Sequence, residues 1–400
     1  MGHLEALDPD ERTIVVAGAG LAGLRTAEGL RRHGWTGKIT IVGDEVHYPY
    51  TRPPLSKKLL ADGGDHASVE LRRRDSEHPI DWLLGRAVVS SDLSRRVVVL
   101  DDGTELSYDG LVAATGVRAR RLPPEVGGPA TALRTLDDAI ALGDRLRPGS
   151  RVVVIGAGFI ACEVAATAIA RGCEVAMVAV DDVPMQVPLG AMVGAELHRR
   201  HAAAGVTFHL GTGVAAIEPG AVELTDGIRL RADVVVEAIG SEPNTGWLEG
   251  NGLDLTNGVV CDQMLHPGGL SGVVAVGDVG RFPNALYDAE PRRIEHWQVA
   301  VDTSMYAARV LLADLADTPW TEPFGTIPTF WSDQGAVSLR ALGQPGLGDE
   351  VEVLEGELGG EAAVGYRRGG ALVGVVLLGM PKRMGAYLQR LTADLKTALV

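Results

Sequence analysis

The sequence predicts an α/β chain built on two Rossmann-like βαβ units with a small α+β domain behind them, and two observations predict the paired units. Two glycine-rich turns, Gly18-Ala19-Gly20-Leu21-Ala22-Gly23 and Gly156-Ala157-Gly158-Phe159-Ile160-Ala161, each follow an apolar strand pattern and open a helix of small residues. The strands read Thr13-Ile14-Val15-Val16-Ala17 and Arg151-Val152-Val153-Val154-Ile155. Glycine there lets the backbone turn tightly and approach a pyrophosphate, and the helix N-terminus offers it free N–H groups with partial positive charge. Two such turns in one chain point to two dinucleotides, held so that electrons can pass between them.

The elements follow in order. The polar stretch 1–11 is expected to fray. The first βαβ unit runs through strand 13–17, the glycine turn, a helix from Ala22 to His33 with Leu24, Ala27 and Leu30 on one side, a stop at Gly34, and strand Ile39-Thr40-Ile41-Val42. It ends at Gly43-Asp44-Glu45, where an acid can hold an adenosine ribose through its hydroxyls; Asp44 is the candidate ligand, with Glu45 behind it. Strands near Val88 and at Val97-Val98-Val99-Leu100, with the turn Asp102-Gly103, form a β excursion before the sheet resumes at Leu111-Val112-Ala113-Ala114. A linker reads Leu122-Pro123-Pro124-Glu125-Val126-Gly127-Gly128-Pro129. The second βαβ unit fills 151–180, followed by a helix near 190–204 and strands near 206–240. Val273-Val274-Ala275-Val276-Gly277-Asp278 is a further buried strand ending in an acid, so the first domain is completed by chain that returns after the second. Past a boundary at Pro319 to Pro328, the tail from Trp331 reads as a small sheet closed by a helix from Met384, with Val351-Glu352-Val353 and a hairpin of Ala363–Tyr366 with Leu372–Leu378.

Composition narrows the function. The 400 residues imply two or three domains, and 46% apolar residues with abundant glycine suit close helix-to-sheet packing. No apolar run approaches the roughly eighteen residues that cross a bilayer, and Glu5, Asp8, Asp10 and Glu11 do not make a signal peptide, so the expectation is a cytoplasmic protein away from membranes. A net charge of −15 excludes nucleic acid as a partner. An acidic protein partner would need a local basic patch, for which Arg72-Arg73-Arg74 and Arg292-Arg293 are candidates; a solvated face is the plainer alternative. Cys162, Cys173 and Cys261 form no Cys-x-x-Cys pair, which removes a dithiol relay and thiolate ligation of an iron–sulfur cluster or zinc, and no metal site is expected. Cys162, inside the second loop helix, reads as a small buried thiol. Redox chemistry then falls to a bound cofactor.

At Tyr50-Thr51-Arg52-Pro53-Pro54-Leu55-Ser56-Lys57 the chain resembles the FAD-dependent, NADH-dependent ferredoxin reductases that serve bacterial cytochromes P450 and Rieske oxygenases, within the glutathione-reductase-like superfamily. The resemblance continues through Ala114-Thr115-Gly116, Leu133-Arg134-Thr135-Leu136-Asp137-Asp138, Gly158-Phe159-Ile160 with Glu163, Pro243-Asn244, Gly277-Asp278-Val279, Ile294-Glu295-His296-Trp297 and Phe330-Trp331-Ser332-Asp333-Gln334. It implies an FAD domain at 12–118 and 247–322, an NAD domain at 119–246 and a C-terminal domain at 323–400 that covers the flavin.

The resemblance also implies site roles. Gly18, Gly20, Leu21, Ala22 and Gly23, with Ala114, Thr115 and Gly116, would admit the FAD pyrophosphate, helped by Arg52 and Arg134. Asp278, after Gly277, would accept hydrogen bonds from the ribityl chain or from N–H groups aimed at the pyrophosphate, and Lys57 would reach the isoalloxazine, where a cation favours the reduced ring. His296, Trp297 and Trp331 would stand near the flavin. Gly156, Gly158, Phe159, Ile160 and Gly240 would receive NADH. Glu163, on the first turn of the second loop helix, either projects toward the nicotinamide or partners the helix dipole; Glu295 has the same two readings. Lys57, Glu163 and Glu295 are the candidate catalytic residues, in a positioning and electrostatic sense.

One departure concerns nucleotide choice. The strand after the second glycine turn reads Glu174-Val175-Ala176-Met177-Val178-Ala179-Val180, so Ala179 stands where the family carries an acid for the adenine-side ribose. NADPH would want Arg or Lys for its 2′-phosphate, whereas this stretch carries Asp181 and Asp182, so NADH is the expected donor and NADPH the less favoured one. Ala161 replaces the third glycine, a tolerated variant. Thr51, where the family often carries an acid, and Gln298-Val299 are further departures. The expected activity is hydride transfer from NADH to FAD and single-electron delivery to a [2Fe-2S] or other small ferredoxin feeding a P450 or other oxygenase. The alternatives are a redox-responsive dinucleotide-binding protein with little turnover and an NAD(P)H-dependent flavoprotein reductase of quinone or oxygen. No motif specifies an oligomeric state.

Overall fold

The computed structural model describes residues 11–318 and 320–398, so the stretch 1–10 expected to fray and Pro319 at the expected boundary lie outside the described residues. The chain divides into two compact units. The first holds the chain before Arg52 together with Glu70–Arg118 and Glu242–Pro328; the second holds Arg52–Val69, Ala119–Ser241 and the chain from Thr329.

In the first unit, a five-stranded parallel sheet runs in the order Val273–Ala275, Gly110–Ala113, Thr13–Ala17, Lys38–Gly43, Asp81–Leu84. Val15 lies opposite Thr40 on one side and Leu111 on the other. The strands are short apolar runs because both faces of a parallel sheet are covered, and Ile14, Val16, Ile41, Val112 and Val274 are fully buried. The strand 273–275 joins this sheet although more than a hundred residues of the other unit intervene, as the sequence implied. The β excursion of Val88–Asp92, Val97–Leu100 and Glu105–Ser107 forms a small antiparallel sheet of its own.

The loop helix Leu21–Arg32 packs on a helix the sequence reading passed over, Trp297–Leu315. Its apolar stripe is interrupted by Thr303 and Ser304, which are fully buried because each bonds backbone: Thr303 Oγ1 donates to Val299 O at 2.7 Å, and Ser304 Oγ donates to Ala22 O of the loop helix at 2.9 Å. A buried hydroxyl that satisfies itself on helix carbonyls breaks the sequence periodicity without breaking the helix. Gly29 brings the helices close, since a Cβ there would stand 2.9 Å from Ala308 Cβ. The edge strand Asp81–Leu84 was also passed over; it is four residues long and only half-buried.

The second unit contains a parallel sheet ordered Val206–Leu210, Glu174–Ala179, Arg151–Ile155, Val234–Glu237, Thr131–Ala132. Helix Phe159–Ala170 follows the second glycine turn, and Gln186–Ala203 follows the next strand with a break at Gly190, whose φ is +75°. The unit also contains a five-stranded antiparallel sheet, Thr329–Gln334, Val337–Gly343, Ala371–Leu378, Ala362–Arg368, Glu350–Gly356, and the helix Met384–Ala398. Trp331 lies inside the first of these strands rather than at its start.

One polar clamp holds the approach to strand 273–275. His266 sits between Asp262 and Asp314, its Nε2 2.9 Å from Asp314 Oδ2, and the same oxygen accepts the Gly272 N–H at 2.7 Å. Burial disfavours the charged imidazole, but hydrogen bonds and charge from the two carboxylates outweigh it and raise its pKa to about 9. The folded chain therefore binds this proton more tightly than the unfolded one. Its stabilisation is complete below pH 6.5, the ordinary value, and disappears as pH rises through about 9. Thermal melts across that window should show a fall in Tm that is absent from His266→Gln; parallel curves for the two proteins would refute the clamp.

Candidate functional site

The first glycine turn is built on a close approach. Gly18 has φ +118°, its N–H donates to Val42 O at 2.7 Å, and a Cβ on it would lie 2.1 Å from Ala114 O. Gly23 is equally tight, with Gly18 O at 2.0 Å from its Cβ position. Gly20 differs: a Cβ there would meet no protein atom within 4 Å. Gly20 is the N-cap of the helix, no side chain caps it, and the first turn carries no acid, so its N–H groups face a space the protein leaves open. That combination fits the pyrophosphate of a dinucleotide.

Around this turn the structure gathers other predicted residues. Thr115 Oγ1 donates to Asn244 O at 2.7 Å, and Asn244 Nδ2 returns a bond to Thr115 O at 3.0 Å, pinning the Ala114-Thr115-Gly116 corner. Gly277, at φ +67°, would place a Cβ 2.8 Å from Ala22 Cβ, so only glycine brings Asp278 this near the loop helix. Asp44 is exposed directly after strand Lys38–Gly43, while Glu45 accepts a bond from the Tyr50 hydroxyl at 2.5 Å. Glu295 is exposed and ion-paired with Arg293 at 2.5 Å. His296 caps helix Trp297–Leu315, with Trp297 its first residue, and burial lowers the His296 pKa to about 4.

The second turn repeats the geometry. Gly156 has φ +107°, its N–H donates to Val178 O at 2.7 Å, and a Cβ would lie 2.2 Å from Ala238 O. Gly158, the uncapped N-cap of helix Phe159–Ala170, has open space where its Cβ would be. A cleft of about 310 Å³ opens here, lined by Gly156, Gly158, Ala179, Asp181, Gln186 and Gly240 among others. Ala179 ends its strand at the edge of this cleft, as the sequence placed it. Phe159 packs edge-on against Phe330 at 5.0 Å, and Ile160 is 40% exposed.

The densest chemistry in the second unit surrounds Glu163. The sequence placed it on the first turn of the loop helix, but it is the fifth helical residue and lies beyond the reach of a first-turn dipole partner. It is 4% exposed and accepts from three side chains: the Lys57 ammonium at 2.6 Å, the Ser332 hydroxyl at 2.5 Å, and the Ser56 hydroxyl. Lys57 Nζ also donates to Pro53 O at 3.0 Å. An ammonium has three N–H bonds, so the two described acceptors leave one for a ligand. Arg52 donates to Arg134 O at 2.8 Å, and Arg134 N–H bonds Asp138 Oδ2 at 3.0 Å within the capping box of helix Leu136–Arg145, so the two predicted arginines stand together. Trp331 is 37% exposed, on the opposite face of its strand from Ser332.

Sequence reasoning missed Ser56, Ser332, Gln334 and His201 as members of this site. The signal lay in Phe330–Gln334, where period-two alternation puts the polar Ser332 and Gln334, 0% and 2% exposed, on the buried face. Of the basic patches, Arg73 pairs with Glu70 at 3.1 Å, Arg292 with Asp288 at 3.0 Å and Arg293 with Glu295, so much of their charge is already answered locally.

Two parallel-sheet units, each with an open glycine cradle at a helix N-terminus, define an α/β enzyme class that handles two dinucleotides. The chain belongs to the pyridine nucleotide-disulphide oxidoreductase family, whose pattern it matches over residues 12–304, and residues 329–398 match the Reductase C-terminal domain. It is 36% identical over 351 residues to the ferredoxin–NAD(+) reductase component of the p-cumate 2,3-dioxygenase system of Pseudomonas putida, covering 86% of this chain and 84% of that one. It is 35% identical to putidaredoxin reductase CamA of Pseudomonas putida, over 95% of this chain and 91% of that one. Among solved structures, putidaredoxin reductase in its covalent complex with putidaredoxin superposes with a TM-score of 0.88 at 34% identity, covering 96% and 93% of the two chains. No helix among the described residues is long and apolar enough to cross a membrane.

The family's disulphide chemistry has no counterpart here. All three cysteines are free and buried, and desolvation, with the Glu163 charge second, pushes the Cys162 thiol up to about 12. Iodoacetamide at pH 8 should leave NADH-dependent turnover unchanged; rapid inactivation would show an essential thiolate. The cradles carry a sharper expectation. Gly20→Ala and Gly158→Ala should leave the unfolding free energy of the ligand-free protein within ~0.5 kcal/mol of wild type, because the methyl enters open space, yet abolish retention of the first dinucleotide and weaken the second. Gly18→Ala should lower Tm outright, and equal melting losses for Gly18→Ala and Gly20→Ala would contradict the geometry.

Proposed function

We propose that this chain is an NADH-dependent ferredoxin reductase that carries FAD at Gly18–Gly23 and receives NADH at Gly156–Gly158. The observation that carries the reading is the Lys57–Glu163 pair: a buried carboxylate held by three donors, fixing an ammonium with one N–H to spare. When bound, the flavin accepts a hydride and releases its electrons singly to a one-electron carrier. The chain's own part is positional. Gly18, Gly20 and Gly23 let backbone N–H groups meet one pyrophosphate, Asp44 offers its carboxylate at the strand end to a ribose diol, and Asp278 stands beside the loop helix as a further acceptor. Arg52 and Arg134 add cationic groups for phosphate. Phe159, Ile160 and Gly240 would shape the second site, His296 and Trp297 would wall the first with Glu295 as a further polar group, and Trp331 is the aromatic that the resemblance assigns to the flavin. Lys57, held by Glu163, would favour negative charge on a flavin ring brought near it and would need no proton transfer to do so.

The same reading divides the chain into an FAD domain at 12–118 and 247–322, an NAD domain at 119–246 and a covering domain at 323–400. The acceptor is a [2Fe-2S] or other small ferredoxin of an oxygenase system, and the protein works with it in the cytoplasm. The sequence similarity to named ferredoxin reductases over 84% or more of their length supports this acceptor class.

The yellow protein should bleach within seconds when mixed anaerobically with NADH and reoxidise only on addition of a ferredoxin. No bleaching refutes the donor, and reoxidation indifferent to ferredoxin refutes the acceptor. Lys57→Ala strips the Glu163 carboxylate of its cation, costing about 3 kcal/mol of local stability, and should slow bleaching or shift the flavin potential while FAD stays bound. Unchanged rate and potential would remove Lys57 from the site. At the edge of the NADH cleft, Ala179→Glu should tighten NADH about tenfold, the worth of one hydrogen bond to a charged group; an unchanged Michaelis constant would show that the diol is held elsewhere.

A further inference from the structure

Behind the Lys57–Glu163 pair, polar side chains continue inward where a core would ordinarily be apolar. Ser332, whose hydroxyl donates to Glu163 Oε1 at 2.5 Å, itself accepts from Gln334 Nε2 at 3.0 Å. Gln334 Oε1 lies 2.7 Å from Nε2 of His201, near the end of helix Gln186–Ala203. Glu163, Ser332, Gln334 and His201 are 4%, 0%, 2% and 2% exposed, so no solvent competes for these bonds.

Each link constrains the next. A serine hydroxyl has one proton, so Ser332 can give it to Glu163 only if its own lone pair receives from elsewhere, and Gln334 supplies that donor. A primary amide has one donor end and one acceptor end, so Gln334 can aim its NH₂ at Ser332 only if a donor meets its oxygen. His201 meets it. A neutral imidazole carries one N–H, and with that proton on Nε2 all bonds run in one direction, toward the carboxylate. With the proton on Nδ1, Nε2 becomes an acceptor, the amide must turn over, the Ser332 proton goes to Gln334, and Glu163 Oε1 loses its donor while remaining buried. Burial lowers the pKa of His201 against the opposing effect of its bond to Gln334, which keeps the ring in its single-N–H form.

We propose that His201 is a positioning residue for the reaction at Lys57: through Gln334 and Ser332 its Nε2 proton sets the direction of the hydrogen bond on Glu163, and thereby how firmly Glu163 holds the lysine. The inference rests on the function proposed above and adds to it a control three side chains removed from the cation. A carboxylate short of one donor draws more of the Lys57 ammonium to itself, and less of it remains for the ligand. Ser332, Gln334 and His201 do not line the cleft at the second glycine turn, so the effect falls on the rate of reduction and not on NADH binding.

The test uses the flavin-loaded protein with histidine labelled by ¹⁵N, and three variants: His201→Leu, which ends the chain; His201→Gln, whose amide can still donate to Gln334; and Gln334→Leu, which cuts it in the middle. In the unmodified protein at neutral pH, one slowly exchanging imidazole proton should sit on Nε2 of a singly protonated ring, assigned by its loss in His201→Leu and in His201→Gln. A proton on Nδ1, or a doubly protonated ring, overturns the proposal without any kinetic measurement. In anaerobic rapid mixing, His201→Leu and Gln334→Leu should lower the limiting rate of bleaching by NADH about tenfold, the scale for a supporting group behind a site ligand, with the NADH saturation constant unchanged; His201→Gln should recover most of it. Equal limiting rates in all four proteins overturn the relay alone and leave the proposed function standing. Failure of the unmodified protein to bleach overturns the function, and the relay with it. If His201→Leu does not fold, the proton position in the unmodified protein and the comparison of His201→Gln with Gln334→Leu still decide.

Discussion

A carboxylate buried to 4% exposure must be surrounded by donors, and the arrangement of the second unit follows from how Glu163 meets that demand. Its donors come from two stretches of chain far from it in sequence: Ser56 and Lys57 toward the N-terminus, and Ser332 in the first strand of the antiparallel sheet. Thr167, one turn along the same helix, donates to Ser56 O at 2.9 Å, and Arg171 donates to Leu60 O at 2.7 Å. The helix is thereby laced along its length to the segment that bears Lys57. A buried ion pair adds little net stability, since desolvation offsets most of the attraction. What it supplies is place: the ammonium can satisfy the carboxylate in one position only.

The glycine cradles work by the opposite means, through space withheld from the protein. Gly18 and Gly156 allow their turns to close within about 2 Å, measured from a Cβ position, of Ala114 O and Ala238 O, and no larger residue fits. Gly20 and Gly158 leave a gap over an uncapped helix N-terminus. One glycine of each pair closes the turn and the other leaves open space above it. The two turns match residue for residue in φ sign, in the N–H bond to the neighbouring strand and in the absence of a capping side chain, although their flanking sequences differ.

Much of this was legible beforehand because it is local. Strand 13–17, its helix, strand 38–43 and their counterparts at 151–179 each announce themselves by apolar runs bounded by glycine. The return of strand 273–275 to the first sheet could be read from an apolar run ending at Gly277-Asp278. Helix Trp297–Leu315 was not legible, because Thr303 and Ser304 look polar in sequence and become core-compatible only once their hydroxyls find carbonyls. Glu163 was assigned to a first turn because the position of a helix start depends on cap geometry, which the glycine motif alone fixes only to within one or two residues.

The amino-acid sequence by itself determined the two nucleotide-binding units, the spacing of their glycines, the absence of a dithiol and the acid missing at Ala179, since each is a property of neighbouring residues and of local backbone sterics. Tertiary structure alone decided which polar groups meet. Lys57 and Glu163 stand more than a hundred positions apart, and His201 and Gln334 likewise, so no periodicity links them. Their pairing is fixed by the desolvation of buried polar atoms, each of which must find a partner among whatever the packed elements bring within about 3 Å, and that requirement acts only after the chain has closed around it.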